Sequence, residues 1–156
     1  MKRSGKAIAI AAGEDDSIWV LGGRKSETGY SLFQYINNRW KKVDKIFGVR
    51  LAIDPNGNPW VINSDNMIFR RRNNSWERVR GRATDISIGA MGDVYVTSTN
   101  KVKGGHGIYK YNLETGKWGK QVGGAKRIAV ATGGYPWIIT DENEIKRWTG
   151  RDWATL

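Results

Sequence analysis

His106 is the only histidine of the chain and lies in the run Gly104-Gly105-His106-Gly107. A histidine base needs a nucleophile and an orienting carboxylate, and no Ser-His-Asp arrangement can be assembled around this one. Cysteine is absent, which removes thiolate nucleophiles, thiolate metal sites and disulfides. Carboxylates cluster at Glu14-Asp15-Asp16 and at Asp141-Glu142-Asn143-Glu144. Paired carboxylates can hydrolyse glycosides or hold calcium. Neither run has the calcium-loop pattern, and both fall between strand-like segments, where solvated turns are the plain reading. The Asp54-Pro55-Asn56-Gly57-Asn58 run looks like one arm of a calcium loop but lacks the downstream glutamate, so it reads as a turn. The pairs Gly22-Gly23, Gly104-Gly105, Gly123-Gly124 and Gly133-Gly134 precede no helix and therefore make no phosphate cradle. The expectation is a protein without catalytic residues, metal or cofactor.

Binding chemistry is better represented. With 26 Lys and Arg against 15 Asp and Glu, the net charge is +11. Such a charge attracts nucleic acid, anionic lipid and acidic glycans without choosing among them. Runs occur at Lys41-Lys42, Arg70-Arg71-Arg72 and Arg78–Arg82, but basic residues are spread along the whole chain, as on a solvated surface. Rings and cations interleave in IFRRRNNSW and YKYNLETGKW, a mixture that single-strand nucleic-acid binders use for stacking.

The rings follow a period, and that period indicates what must position everything else. Trp40, Trp76, Trp118 and Trp153 are each preceded by a polar turn, and Val43, Val79, Val122 and Leu156 follow them. Trp19, Trp60, Tyr95 and Trp137 form a second marker set, each preceded by a turn (GEDD, PNGN, AMGD, TGGY). Before those turns lie the alternating pairs Ile8/Ile10, Leu51/Ile53, Ile86/Ile88 and Ile128/Val130. Seven of the eight Trp residues occupy the two marker positions, so the period is internal repetition.

Each repeat reads as four short strands joined by Gly, Asn and Asp turns, with period-two alternation and no helical period. Tandem four-stranded antiparallel units of this length describe the blades of a β-propeller. The fold class is all-β, with four blade repeats at about 7–47, 48–82, 83–124 and 125–156. Packing of one blade on the next accounts for the rings, so the Trp residues are expected between blades and unavailable for stacking on bases. Repeats one and three carry a longer loop between strands two and three (GGRKSETGYS and STNKVKGGHG), whereas NSDN and TDEN serve in repeats two and four. The two long loops are basic and are expected on one face of the ring.

No segment approaches the ~20 apolar residues that span a bilayer. At the start, the apolar stretch Ala7–Ala12 is too short for a secretory leader, and residues 1–6 read as a flexible basic tip before the first strand.

The strings AIDPNGNPWVINSDNMIFRRRNNSWERVRG and ISIGAMGDVYVTSTN…GIYKYNLETGKWGKQVGG resemble the tectonin repeat, and the likeness extends from about Ala7 to Leu156. The resemblance implies a propeller. It also implies a binding role, since tectonins include lectins for bacterial lipopolysaccharide or modified glycans, and modules that bind lipids or proteins. Tectonin propellers usually have six blades, whereas four repeats are present here. Closure of four blades alone, completion by copies of the same chain, and a fragment of a longer propeller or an open array all remain open, with self-association favoured because an open array exposes a Trp-rich face.

The expected function is a non-catalytic, lectin-like module that recognises glycans or anionic surface polymers. Arg24, Lys25, Lys101, Lys103 and His106 of the long loops are the expected contacts, through charge-assisted hydrogen bonds to phosphate or carboxylate. A scaffold acting through protein contacts or self-assembly is the alternative, and nucleic acid a less favoured partner.

Overall fold

The computed structural model describes residues 5–156, the Asp44 side chain excepted. The first four residues of the expected basic tip lie outside the described residues. Among those described there is no helix. The strands are β1 Ala7–Ala12, β2 Ile18–Ser26, β3 Gly29–Ile36, β4 Arg39–Gly48, β5 Arg50–Ile53, β6 Pro59–Ile62, β7 Met67–Arg72, β8 Ser75–Ile88, β9 Val94–Val102, β10 Gly105–Asn112, β11 Lys117–Ala125, β12 Arg127–Val130, β13 Pro136–Ile139, β14 Ile145–Trp148 and β15 Trp153–Thr155. Neighbours in sequence are hydrogen-bonded neighbours in the sheets, in the orders β1-β2-β3-β4, β5 through β11, and β12-β13-β14-β15. The assigned strand pairs are antiparallel.

The seven-stranded sheet arises at β8. This 14-residue strand carries Trp76, the strand-four marker of the second repeat, and Ile86 and Ile88, the strand-one pair of the third. The sequence suggested a break near 82–83. Between Arg80 and Ala83 the only turn-forming residue is Gly81, which is too little to end a strand, and the chain runs through.

The turns repeat as faithfully as the strands. Between strands one and two, the N–H groups of Gly13, Asp54, Gly89 and Ala131 donate to the carbonyls of Ser17, Asn58, Asp93 and Tyr135. In the second of these turns the Asp54 carboxylate accepts the N–H groups of Asn56 and Asn58, so DPNGN is a self-capped turn. Between strands three and four, the pairs Asn37-Asn38 and Asn73-Asn74 take positive φ, the geometry of a tight hairpin.

The chain divides between Val79 and Arg80 into two compact units. In the first unit, Trp19, Leu21, Leu32 and Ile46 of the first repeat pack with Ile53 and Val61 of the second, and Leu51, Phe69 and Trp76 lean on the same cluster. In the second unit, Tyr95, Ile108 and Ala125 of the third repeat pack with Ile128 and Ile138 of the fourth. The expectation that the Trp residues are all packed away needs correction. Trp19 and Trp60 are 1% exposed, but Trp40 is 45% exposed. Trp19 and Trp60 lie on strands inside their sheets, whereas Trp40 lies on the edge strand β4, with the Tyr35 ring as its neighbour.

Candidate functional site

The long loops of repeats one and three are hairpin extensions. β2 runs on to Ser26 and returns at Gly29, and β9 runs on to Val102 and returns at Gly105. Arg24 and Lys25 therefore lie at the exposed end of β2 in the first unit. Lys101 lies on β9, Lys103 at the turn, and His106 on β10 opposite Lys101. His106 is a strand residue and not a flexible-loop one, and its Nδ1 is buried with no hydrogen-bond partner among the described residues. The structure thus joins Lys101 and His106 across one hairpin, with Lys103 at its tip.

Several of the remaining cations lie against rings. Arg70 is opposite Trp60, Lys110 opposite Tyr95 and Arg147 opposite Trp137. The three cations lie 5.5, 5.5 and 5.9 Å from the ring centres, within cation–π reach. The alternation of basic and aromatic residues is therefore largely a cross-strand pairing pattern. Lys110 also bonds Asp93 at 2.6 Å, and this contact raises the Lys110 pKa above its ordinary value. Burial pushes the Tyr95 hydroxyl up.

The concavity with the richest chemistry lies between the third and fourth repeats. It is a cleft of about 280 Å³ lined by Lys103 and Gly104 of the hairpin tip, Gly123 and Gly124 of β11, Ile138, Thr140, Asp141, Glu142, Glu144, Lys146 and Trp153. One position sets it apart from the equivalent place in the other repeats. Strand three of the first three repeats carries Phe33, Phe69 and Tyr109, and the same register in the fourth holds Lys146, opposite Ile138. Phe69 packs into the core between the first two repeats. Lys146 instead turns to Glu144, with Nζ 2.9 Å from Oε2.

The acidic turn is held rigidly. Thr140 is buried, its Oγ1 accepts the Glu144 N–H, and its backbone N–H and carbonyl bond Glu144 and Asn143. The Asp141 N–H donates to the Gly104 carbonyl at 3.1 Å, tying the turn to the hairpin tip. At the other wall the Trp153 indole N–H donates to the Val122 carbonyl at 2.8 Å. Trp118 makes the same bond to Arg80 at 2.6 Å, and in both cases the acceptor lies four residues after the previous repeat's strand-four Trp. Each indole caps a glycine of positive φ, Gly81 (φ 109) or Gly123 (φ 92); a Cβ would collide with the ring at Gly123 and crowd it at Gly81.

Of the five expected contact residues, the cleft takes in Lys103. It also recruits Asp141, Glu142, Glu144 and Lys146, which the sequence reading had assigned to a solvated turn and an ordinary strand. The lysine in an aromatic register was the available signal. Chemically, the cleft combines an indole with three carboxylates and two ammonium groups, acceptors and donors suited to hydroxyl groups around an apolar ring face.

No curated protein matches the sequence. Among solved structures the chain is similar to the RRP9 WD40 repeats (TM-score 0.71, 10% identity, 100% of this chain and 52% of that one). It is also similar to TolB from Acinetobacter baumannii (0.67, 13%, 94% and 41%) and to YCF48 from Cyanidioschyzon merolae (0.65, 13%, 99% and 57%). The chain spans about half the length of these chains, and at such identities the likeness is one of fold alone: an all-β, propeller-like arrangement. The tectonin-domain family model matches residues 6–104, well over half of the chain, and the turns and strand markers of that stretch recur through the rest. The chain belongs to the tectonin family.

Proposed function

We propose that this chain is a non-catalytic binding module whose four repeats serve as propeller blades, and that it recognises a glycan in the cleft between the third and fourth repeats. The observation that carries the reading is the replacement of the strand-three aromatic by Lys146, which opens a cleft walled by Trp153 and an ordered acidic turn. Sugars bind where hydroxyl groups meet fixed charged acceptors and C–H faces meet an indole; charge-assisted hydrogen bonds are the strong ones. Lys101, Lys103 and His106 on the adjoining hairpin, with Arg24 and Lys25 on its counterpart, add attraction for phosphate or carboxylate substituents such as those of lipopolysaccharide.

A glycan array tests the proposal, with the double variant Asp141→Asn/Glu142→Gln beside the natural chain. The two substitutions keep size and remove charge at an exposed turn, so the fold is expected to survive. Binding should weaken by about tenfold or more, equivalent to one lost charge-assisted hydrogen bond. Substituting Arg24, Lys25, Lys101 and Lys103 by alanine should weaken acidic glycans selectively and flatten the salt dependence. Retention of every array ligand by the double variant removes the cleft from the proposal.

A scaffold role is the second reading. It is favoured by exposed large apolar side chains such as Ile10, Trp40 and Met91.

A further inference from the structure

We propose that the ligand of the cleft is an amino sugar with a free ammonium group, received by the carboxylates of Asp141 and Glu142 beside the Trp153 indole. This rests on the glycan reading and names the chemistry that the site selects. The chain as a whole carries a charge of +11, so its long-range attraction favours anions. The cleft inverts that balance. Its lining holds three carboxylates, Asp141, Glu142 and Glu144, against two ammonium groups, Lys103 and Lys146. Glu144 and Lys146 satisfy each other at 2.9 Å. Asp141 and Glu142 are exposed and have no ion pair among the described residues.

The turn that carries these carboxylates does not need them in order to fold. The second repeat builds the same turn at 63–67. There the Ser64 N–H donates to the Thr28 carbonyl of the long hairpin, as the Asp141 N–H donates to Gly104. The Met67 N–H donates to the Asn63 Oδ1, as the Glu144 N–H donates to the Thr140 Oγ1. Asn66 and Asn143 take the same positive φ, 63° and 67°. Ser64, Met67 and Phe69 therefore hold the places of Asp141, Glu144 and Lys146, and only Glu142 has an acidic counterpart, in Asp65. One frame serves both repeats, but in the fourth it is dressed with charge around an open cleft. Folding of the turn gives the Asp141 carboxylate no task, and a cationic ligand does.

An ammonium group on a sugar ring fits this arrangement in two ways. It donates charge-assisted hydrogen bonds to carboxylates, and it is attracted to the face of an indole. The indole is held in place by its bond to the Val122 carbonyl. N-acetylation turns the ammonium into a neutral amide and removes both attractions while keeping the ring. A phosphate or carboxylate substituent of the same glycan meets like charge at Asp141 and Glu142, and its partners are Lys101 and Lys103 on the hairpin.

The test is titration of the Trp153 indole N–H signal with the β1,4-linked glucosamine disaccharide and with its di-N-acetylated form. It is run at about pH 6.5, where the sugar amines carry protons, and at about 0.05 M salt, where screening is weak. The ammonium form should bind about tenfold more tightly. In Asp141→Asn/Glu142→Gln, with circular dichroism unchanged, the two sugars should bind alike. Equal binding of the two by the natural chain, or tighter binding of the acetylated form, overturns the ammonium proposal and leaves the glycan reading standing. A preference that survives in the double variant overturns the assignment to Asp141 and Glu142. Binding of neither sugar also overturns the ammonium proposal, and if no array glycan is lost by the double variant, the glycan reading falls with it.

Discussion

Alanine at Gly123 should destabilise the second unit by about 2 kcal/mol, and the size of the effect follows from the indole latch. Gly123 has φ 92, and a Cβ built there lies 2.8 Å from the Trp153 Nε1 and 3.2 Å from its Cδ1. Holding a non-glycine residue in left-handed backbone costs about 1–2 kcal/mol. Displacing the indole releases its bond to the Val122 carbonyl, worth about 1 kcal/mol. The stiffer unfolded chain returns about 0.4–1 kcal/mol. For a chain of this size the net loss lowers the melting temperature by about 4–8 °C. Near-UV circular dichroism of thermal unfolding reads it directly, because Trp153 is the displaced ring. Gly133→Ala is the control: that glycine has no heavy atom within 4 Å of its Cβ direction and no positive φ, so its melting temperature should hold or rise slightly. Equal melting temperatures for the two variants would refute the latch.

Three further outcomes are expected. Trp153→Phe keeps an aromatic ring but loses the N–H and part of the indole, and should cost about 1 kcal/mol or somewhat more in chemical denaturation without the backbone strain of the glycine variant. Asp85 is 3% exposed and its Oδ2 accepts both the Arg127 Nε at 2.9 Å and the Ile128 N–H at 3.1 Å; Arg127 is exposed and turns to water when the carboxylate is removed, so Asp85→Ala should cost about 2 kcal/mol, chiefly by stranding the buried Ile128 N–H, measured by urea unfolding. Lys110, held by Asp93, and Tyr95, held by burial, both have pKa values raised in the fold. The folded chain therefore keeps protons that the unfolded chain releases. Stability is fully present below about pH 10 and falls as pH rises through the raised values. Asp93→Asn should flatten the lysine part of this alkaline slope in urea midpoints taken between about pH 9 and 12.

The strands were legible in the sequence because each repeat states the same pattern again. A single IAI run is ambiguous, but four such segments, each followed by a five-residue turn and then Trp19, Trp60, Tyr95 or Trp137, fix strand, turn and register together. What escaped was where repetition fails. The continuous β8 was missed because a repeat boundary invites a break, though Arg80–Ala83 holds only one turn-forming residue. The basic segments GGRKSETGYS and STNKVKGGHG were read as loops because Gly and Lys dominate them, yet both continue their strands and fold back at Gly29 and Gly105. Trp40 was grouped with its equivalents, although burial of a ring depends on what its sheet packs against, and Trp40 lies on the edge strand β4 with Tyr35 as its ring neighbour. The acidic turn at 141–144 is polar like other turns. Its role in the cleft became visible only when Lys146 was placed in the register of Phe33, Phe69 and Tyr109.

Nuclear magnetic resonance titration of the Trp153 indole tests binding in the cleft most directly. Each of the eight Trp residues carries one indole N–H, so the spectrum is simple enough to assign by single Trp substitutions. On adding the strongest array glycan, the Trp153 signal and the amides of Ile138–Lys146 and Lys103-Gly104 should move together, while Trp40 and the Arg24-Lys25 hairpin stay in place. Movement confined to other rings or to the basic hairpin ends, with Trp153 unmoved, would contradict the assignment of the site.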